Sequence, residues 1–329
     1  MRTIDWADGA VRIIDQTALP DQEVWLDLST VDDLVDAIRR LAVRGAPALG
    51  VAGALGVALA ARALAADEAG LAAAVRSLRE ARPTAVNLAR GVDLAAAALP
   101  DPDAVLEAAL GLRDAELGAS AAMATRGADL VTELCGAQVR VLTHCNSGGL
   151  ATVSGGTALG VVAELHRRGG LRGVIASETR PLLQGARLTA WELGRLGIDY
   201  RVAVDGAGPF LMARREVDAV LVGADRICAN GDVVNKVGTY AHALGARAAG
   251  IPFLVVAPES TVDAGTATGA DVPIEDRDPA EVLGFGPTRI APRDADATNP
   301  AFDVTPHDLV TAVITEAGVR RGPVLTRDA

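Results

Sequence analysis

The sequence of 329 residues is poor in aromatic side chains, which make up 3% of it. Half of the residues are nevertheless hydrophobic, so a core must be built from Ala, Val and Leu. Such side chains suit a parallel sheet covered by helices. A chain of this length is too long for one small core, and it predicts two domains or one large α/β unit.

Lysine is almost absent, because Lys236 is the one lysine among 31 basic residues. With 42 acidic residues the net charge is −11, which argues against nucleic acid or an anionic membrane as a general partner. An anionic substrate would need a local cationic pocket that outweighs the negative electrostatic potential of the whole protein. Lys236 is either a functional exception to a preference for arginine or a chance survivor on the surface.

Cysteine and histidine are also scarce. The three cysteines, Cys135, Cys145 and Cys228, are odd in number and lack Cys-x-x-Cys spacing, which argues against a disulfide framework and a structural zinc site. The four histidines have no ligand spacing, so we predict no metal. No Gly-x-Gly-x-x-Gly follows a strand and no P-loop occurs, so neither a dinucleotide nor ATP is indicated. We therefore expect no cofactor.

The N-terminus lacks the apolar region of a signal peptide. The uncharged run from Gly45 to Ala61 is rich in Gly and Ala, and it is too short and too weakly apolar to predict a membrane span. We interpret this run as a buried helix, and we expect a cytoplasmic protein without a membrane partner.

The hydrophobic pattern changes near residue 130, which predicts an N-terminal domain over residues 1–130 and a second domain over residues 131–329. The first has hairpin character up to residue 28 and an almost continuous helical pattern afterwards. In the second, β-branched apolar runs alternate with helical patterns, as in a parallel, doubly wound sheet. The predicted strands are 139–143, 173–177, 200–204, 219–223 and 253–257, and the predicted helices are 150–168, 184–196, 208–214 and 235–249.

Polar or reactive residues follow each predicted strand of the sheet, where open parallel sheets bind their ligands. Cys145 begins a turn whose backbone N–H groups can stabilise an anion or a thiolate; the alternative is a small buried hydrophobe. Asp225 leaves an apolar strand towards the same edge, where burial would raise its pKa and make it a proton donor. The alternative for Asp225 is a cap of a turn. For Cys135 and Cys228 we expect structural roles.

Phosphate requires fixed cationic donors, and three basic residues stand at predicted breaks between elements. Arg44 precedes Gly45-Ala46-Pro47, Arg82 precedes a proline, and Lys236 follows Asn235 at a predicted helix start. Arginine forks and a lysine ammonium suit phosphate oxygens. The alternative for each is a solvated surface charge.

Several motifs in order resemble those of the methylthioribose-1-phosphate isomerase family, an aldose-to-ketose family of methionine salvage. The resemblance covers nearly the whole chain, from Thr3-Ile-Asp-Trp to Asn299-Pro-Ala-Phe-Asp-Val-Thr-Pro306. The motifs are Arg44-Gly-Ala-Pro-Ala-Leu-Gly50, Arg82-Pro-Thr-Ala-Val-Asn-Leu88, Thr143-His-Cys-Asn-Ser-Gly-Gly-Leu-Ala-Thr152, Glu178-Thr-Arg-Pro-Leu-Leu-Gln-Gly-Ala-Arg187, Gly223-Ala-Asp-Arg-Ile227 with Asn230-Gly231, and Asn235-Lys236-Val-Gly-Thr-Tyr240.

The resemblance implies a homodimer of α/β chains, each with a C-terminal Rossmann-like parallel sheet domain preceded by an α-helical domain that starts with a small antiparallel β-sheet. It implies a small phosphorylated pentose as substrate, and it makes Cys145 and Asp225 the catalytic pair. We expect Asp225 to donate a proton and Cys145 to stabilise the transition state or relay a proton. The substrate-binding positions that the resemblance implies are Arg44, Gly45, Ala46, Arg82, Gln184, Asn235 and Lys236.

Two departures from the family pattern lie at predicted strand ends. Ser177 stands where an acidic residue is expected, and Asp205-Gly-Ala-Gly208 is smaller than the usual stretch. The alternatives are a 5-deoxyribose-1-phosphate isomerase, a ribose-1,5-bisphosphate isomerase, or a non-catalytic sensing subunit like the regulatory α, β and δ subunits of a translation-initiation exchange factor. The substituent at C5 of the sugar decides between the enzymes, and no residue can be assigned to it from the sequence.

Overall fold

The structure is a computed structural model that describes residues 1–83, 85–286 and 288–322. Its contacts divide the chain into two compact units. The first unit comprises residues 1–122 and 147–160, and the second comprises residues 123–146 and the described residues from 161 onward. A division by contacts does not test independent folding, so the domain boundary between residues 130 and 131 stays a prediction.

The first unit begins with a three-stranded antiparallel sheet and continues with helices. Thr30 caps the start of the first helix, because its side chain accepts a hydrogen bond from the N–H of Asp33. The elements of this part of the chain are β1 (Ile4–Ala7), β2 (Ala10–Ile14), β3 (Trp25–Leu28), α1 (Val31–Arg39), α2 (Ala46–Ala63), α3 (Glu68–Arg79), α4 (Val86–Ala96) and α5 (Pro102–Cys135), whose last part belongs to the second unit.

Helix α2 is the core of the first unit. It is long and apolar enough to span a membrane by length and composition, but 83% of that stretch is buried inside the protein, which confirms the buried helix. Helix α4 packs against it at very short distance, because a Cβ atom on Gly91 would lie 1.9 Å from the carbonyl oxygen of Gly50. Only glycine permits this approach.

The second unit contains a seven-stranded sheet in the order β16-β15-β10-β7-β4-β5-β6, in which only the pairing of β15 with β16 is antiparallel. This confirms the predicted Rossmann-like, parallel-rich sheet. Its strands are β4 (Val139–Thr143), β5 (Leu171–Ser177), β6 (Tyr200–Ala203), β7 (Ala219–Val222), β10 (Phe253–Val256), β15 (Ala312–Ile314) and β16 (Val319–Arg321), and the helices between them are α6 (Ala158–Arg167), α7 (Ala190–Arg195), α8 (Ala207–Ala213) and α9 (Thr239–Ala249).

A smaller four-stranded sheet has the order β11-β8-β9-β14. The prediction of one helix over 235–249 is wrong at its start, because Asn235 and Lys236 end strand β9 and the helix begins at Thr239. The remaining elements are β8 (Arg226–Cys228), β9 (Val233–Lys236), β11 (Val262–Asp263), α10 (Ala280–Leu283), β12 (Gly284–Phe285), β13 (Thr288–Arg289) and β14 (Phe302–Thr305).

Candidate active site

Cys145 and Asp225 follow two neighbouring parallel strands of the large sheet. Strands β4 and β7 pair in parallel, with Thr143 beside Leu221. Cys145 comes two residues after the end of β4, and Asp225 comes three residues after the end of β7. Because parallel strands end at the same edge of a sheet, both residues lie at the carboxyl edge, where such sheets bind ligands.

The backbone of Cys145 is held in an uncommon conformation. Its φ is +61°, in the left-handed region that costs a residue with a Cβ atom about 1 kcal/mol or more. Its N–H donates to the Oγ1 of Thr179 (2.8 Å), and its carbonyl oxygen accepts from the Oγ1 of Thr189 (2.7 Å). Two threonines therefore fix the half-buried thiol at the sheet edge.

Asp205, which follows β6, fixes the turn that carries Thr179. Its Oδ1 accepts from the Oγ of Ser177 (2.5 Å) and from the N–H of Thr179 (2.8 Å), and its Oδ2 accepts from the N–H of Arg180 (2.7 Å). Burial acts to raise the pKa of this carboxyl, but the hydrogen bonds from Ser177, Arg180 and Thr179 outweigh it and leave the pKa lowered. Asp205 thus ties together two strand ends, and Ser177 is one of its donors.

Two buried histidines lie behind this network. The rings of His144 and His242 are 4.9 Å apart in an edge-on arrangement, and the Nε2 of His144 lies 2.8 Å from the carbonyl oxygen of Val237. Burial lowers the pKa of both histidines, that of His242 to about 3. Both rings are therefore neutral near pH 7 and place no imidazolium beside Cys145.

The environment of Asp225 differs from the expectation. Its N–H donates to the carbonyl oxygen of Val234 on β9 (3.0 Å), but its side chain is exposed. The expected burial of Asp225 is therefore not found, because the residue after this strand end is exposed; its role as a proton donor stays a prediction.

Asn235 and Lys236 lie directly beyond Val234 on β9. The Nδ2 of buried Asn235 donates to the Oγ1 of Thr239 (3.0 Å). The Nζ of Lys236 donates to the carbonyl oxygen of Ala301 (2.7 Å) and lies 4.6 Å from the centre of the Phe302 ring. Lys236 is half-buried, and these two contacts distinguish it from a solvated surface charge.

Gln184 precedes the π-helical turn Gly185–Thr189, next to the strand end that carries Thr179. Its side chain is 7% exposed, and its Oε1 has no hydrogen-bond partner among the described residues. A Cβ atom on Gly185 would lie 1.7 Å from the carbonyl oxygen of Ser177, so glycine lets this turn press against the strand end. A buried amide oxygen without a donor suits the hydroxyl group of a bound sugar.

The other expected binding residues belong to the first unit. Gly45, with φ of +95°, precedes the first turn of α2, which begins with Ala46. A Cβ atom on Gly45 would lie 2.3 Å from the carbonyl oxygen of Ala151, so this position requires glycine. The unbonded N–H groups of a helix start favour an anion. Arg44 and Arg82 are half-buried beside the starts of α2 and α4 respectively.

The other two cysteines have the environments of structural residues. Burial raises the pKa of Cys135 to about 11 and also raises that of Cys228, so neither is a thiolate near pH 7. Within residues 1–83, 85–286 and 288–322, no cluster of His, Cys, Asp and Glu could hold a metal ion.

The sequence missed the residues that support these side chains. Thr179, Thr189 and Asp303 carry no local signal of such a role, although Thr179 lies in the 178–187 motif and Asp303 lies in the 299–306 motif. The Oδ2 of Asp303 accepts from the N–H groups of Gly238 (2.7 Å) and Tyr240 (3.1 Å). The two motifs were the signals that could have found Thr179 and Asp303, and Thr189 lies outside both.

Comparison with known proteins identifies close relatives. The profile of the Initiation factor 2 subunit family matches residues 42–322. The methylthioribose-1-phosphate isomerase of Anaeromyxobacter sp. strain K is 54% identical over 97% of this chain and 93% of its own length. A 5-deoxyribose 1-phosphate isomerase of Moorella thermoacetica is 50% identical over 97% of this chain and 94% of its own length.

A third relative is longer. The chain covers 61% of a probable bifunctional methylthioribose-1-phosphate isomerase/methylthioribulose-1-phosphate dehydratase of Nocardia farcinica, at 51% identity over 98% of this chain.

Two solved structures match nearly the whole fold. The crystal structure of 5-methylthioribose 1-phosphate isomerase from Pyrococcus horikoshii OT3 has a TM-score of 0.88 and 40% identity, covering 97% of this chain and 92% of that one. The translation initiation factor eIF-2B subunit delta from A. fulgidus has a TM-score of 0.84 and 43% identity, covering 98% and 96%.

Proposed function

The chain belongs to the Initiation factor 2 subunit family, and within it we propose that it is the isomerase that converts 5-methylthioribose 1-phosphate to 5-methylthioribulose 1-phosphate in methionine salvage. One observation carries this proposal: a methylthioribose-1-phosphate isomerase is 54% identical over almost the full length of both chains. The placement of Cys145 and Asp225 at adjoining strand ends supports it.

The substrate poses a specific chemical problem, because its C1 oxygen carries phosphate and the furanose cannot open as a free hemiacetal. Opening requires a proton on the ring oxygen while the bond from C1 to that oxygen breaks. Hydrogen then moves from C2 to C1, and the C2 hydroxyl loses its proton to become the ketone. One proton is thus given and one is recovered, so a single carboxyl can end the cycle as it began.

We assign the proton donation to Asp225. Its exposed carboxyl can reach a bound ligand, and the covering of this edge by substrate would supply the desolvation that a proton donor near neutral pH needs. Its ionised form then accepts the proton from the C2 hydroxyl.

We assign to Cys145 the stabilisation of the transition state or the relay of the C2 proton. The neutral histidines behind it supply no imidazolium partner, and the backbone bonds to Thr179 and Thr189 hold the side chain in place for this role.

The substrate-binding residues are proposed on the basis of the matched motifs and their local structure. In the second unit, Gln184 offers an unpartnered buried oxygen to a sugar hydroxyl, and Lys236 offers an ammonium to the phosphate. In the first unit, Arg44 and Arg82 offer guanidinium groups, and Gly45 and Ala46 offer a helix start. The remaining proposed substrate-binding residue is Asn235.

A 5-deoxyribose 1-phosphate isomerase is the second candidate, because a protein of that name is 50% identical to this chain. 5-Methylthioribose 1-phosphate, 5-deoxyribose 1-phosphate and ribose 1,5-bisphosphate differ from one another only in the substituent at C5. A coupled assay of ketose formation with the 5-methylthio, 5-deoxy and 5-phospho substrates separates the three. We expect the highest kcat/KM for the 5-methylthio sugar. A higher kcat/KM for another of the three substrates would overturn the proposal and assign the enzyme to that substrate. No turnover of any of them would favour a regulatory subunit.

We also propose a cytoplasmic homodimer. Strand β6 lies at the edge of the large sheet, and the exposed apolar side chains of Val202, Val204 and Phe210 lie on and after it. Exposed apolar edges of this kind mark interfaces. The three cysteines are free thiols, which suits a reducing compartment. Sedimentation of the purified protein as a monomer would overturn the dimer, and recovery from a secreted fraction would overturn the location.

A further inference from the structure

The 299–306 motif contributes strand β14, which pairs antiparallel with β9 and places Phe302 beside Lys236 and Asp303 beside Asn235. None of its residues belongs to the proposed reacting or binding set. Three consecutive residues of it, Ala301, Phe302 and Asp303, nevertheless contact Lys236 or the turn that follows it. We name these three residues the 301–303 segment.

Two contacts of the 301–303 segment act on the ammonium itself. The carbonyl oxygen of Ala301 accepts from the Nζ of Lys236 at 2.7 Å, and the Phe302 ring centre lies 4.6 Å from that nitrogen. An ammonium above a ring face is attracted by its quadrupole. A lysine side chain otherwise samples many rotamers, so these two contacts select one position for the charge.

A third contact fixes the backbone after Lys236. The carboxylate of Asp303 accepts from the N–H groups of Gly238 and Tyr240, at 2.7 and 3.1 Å. These are N–H groups at the start of α9, so Asp303 occupies the place where this helix could otherwise bind an anion. The N–H groups at the start of α9 are therefore already bound within the protein, and Lys236 places a positive charge on the strand before them.

We propose that Phe302 and Asp303 are positioning residues for Lys236: the ring holds the ammonium, and the carboxylate holds the turn from β9 to α9, so that the ammonium is placed for the phosphate of the substrate before it binds. The part that concerns phosphate rests on the proposed function. The part that concerns the position of Lys236 does not.

Lys236 is the one lysine of the chain, which gives a direct test of its position. Reductive methylation with ¹³C-formaldehyde labels two amines, Lys236 and the N-terminus, and each gives a separate NMR signal. In the folded wild type we expect the Lys236 signal upfield of its position in urea, because of the ring current of Phe302. Phe302→Leu should move the signal to the urea position. Phe285→Leu, the matched control, removes a ring that lies 6.0 Å from Arg180 and should leave the signal unchanged.

Steady-state kinetics tests the consequence for substrate. Phe302→Leu should raise KM for 5-methylthioribose 1-phosphate about three- to tenfold, with kcat changed by less than about twofold. Asp303→Ala should also raise KM, and Asp303→Asn should restore it, because an amide oxygen still accepts from the two N–H groups. Asp308→Asn, which loses an exposed ion pair to Arg247 of α9, is the control.

Each outcome decides the proposal. An undisplaced Lys236 signal in the wild type, or one that Phe302→Leu does not move, would overturn the positioning role. A displaced signal with unchanged KM in Phe302→Leu would overturn its link to substrate binding. If the wild type turns over none of the sugar phosphates, the proposed function fails, while the NMR comparison still decides the positioning of Lys236.

Discussion

Replacing Asp205 by asparagine tests how the fold holds Cys145 in place. The carboxylate accepts three hydrogen bonds, from Ser177, Thr179 and Arg180. Thr179 in turn accepts the N–H of Cys145. Asparagine has the same shape, but one of its two terminal atoms becomes an NH₂ group, which faces N–H donors and cannot accept from them.

The magnitude follows from the bonds lost. A hydrogen bond to a charged group contributes about 1.5–3 kcal/mol, and a buried donor left without an acceptor costs about 1–3 kcal/mol. The asparagine oxygen can serve the donors on one side of the former carboxylate and leaves the other side facing an NH₂ group. We therefore expect Asp205→Asn to lower the free energy of unfolding by about 3 kcal/mol.

The assay is urea denaturation of wild type, Asp205→Asn and Asp199→Asn, which changes an exposed carboxylate near the same strand. The folded-state pKa of Asp205 is lowered, so its stabilisation is present above the unfolded pKa and is lost as pH falls through the lowered value. The free energies of unfolding of wild type and Asp205→Asn, measured over a range of pH, should therefore converge in acid. A loss below about 0.5 kcal/mol at neutral pH, or an equal loss in Asp199→Asn, would refute this reasoning.

Two further predictions concern the close approach at Gly45 and the buried carboxyl of Asp303. Gly45→Ala should lower the free energy of unfolding by about 3 kcal/mol or more, because it combines a φ of +95° with a Cβ atom 2.3 Å from the Ala151 oxygen. The control is Gly9→Ala, which has a φ of +86° and open space around it and should cost only about 1 kcal/mol. Equal losses of the two variants in urea denaturation would contradict the close approach of Gly45 to Ala151. Burial raises the pKa of Asp303 to about 6 despite its hydrogen bonds, so its ionisation weakens the fold as pH rises from about 4 to about 6, by up to about 3 kcal/mol. Asp303→Asn should therefore be more stable than wild type at about pH 8 and lose this advantage at about pH 4, and a stability difference independent of pH would contradict it.

The parallel sheet could be predicted because its strands are buried on both faces and appear as short β-branched runs. Strand β4 matches its predicted range of 139–143, and the run that contains β7 led to Asp225. Asn235 and Lys236 could not be placed correctly in the same way. The nearby strand β8 pairs only with Val233 and Val234, and the partner of Asn235 and Lys236 is β14, more than 60 residues away in sequence. A local helical pattern contains no information on that partner.

The details of the candidate site were still less visible. The residue types at the strand ends predicted which edge carries the chemistry. The left-handed backbone of Cys145 is held by its N–H, which donates to Thr179, and by its carbonyl oxygen, which accepts from Thr189. Thr179 follows another strand and Thr189 ends the π-helical turn, so neither partner is local in sequence. The exposure of Asp225 was the opposite of the expectation, because an apolar strand predicts burial up to its last residue but not beyond it.

The most direct test of the central claim is the turnover of 5-methylthioribose 1-phosphate by wild type, Asp225→Asn and Cys145→Ser. Wild type should form the ketose phosphate. Both variants should lose at least about 100-fold in kcat and keep the circular dichroism and unfolding transition of wild type. An Asp225→Asn protein with near-wild-type turnover would contradict the account of how this strand edge performs the reaction.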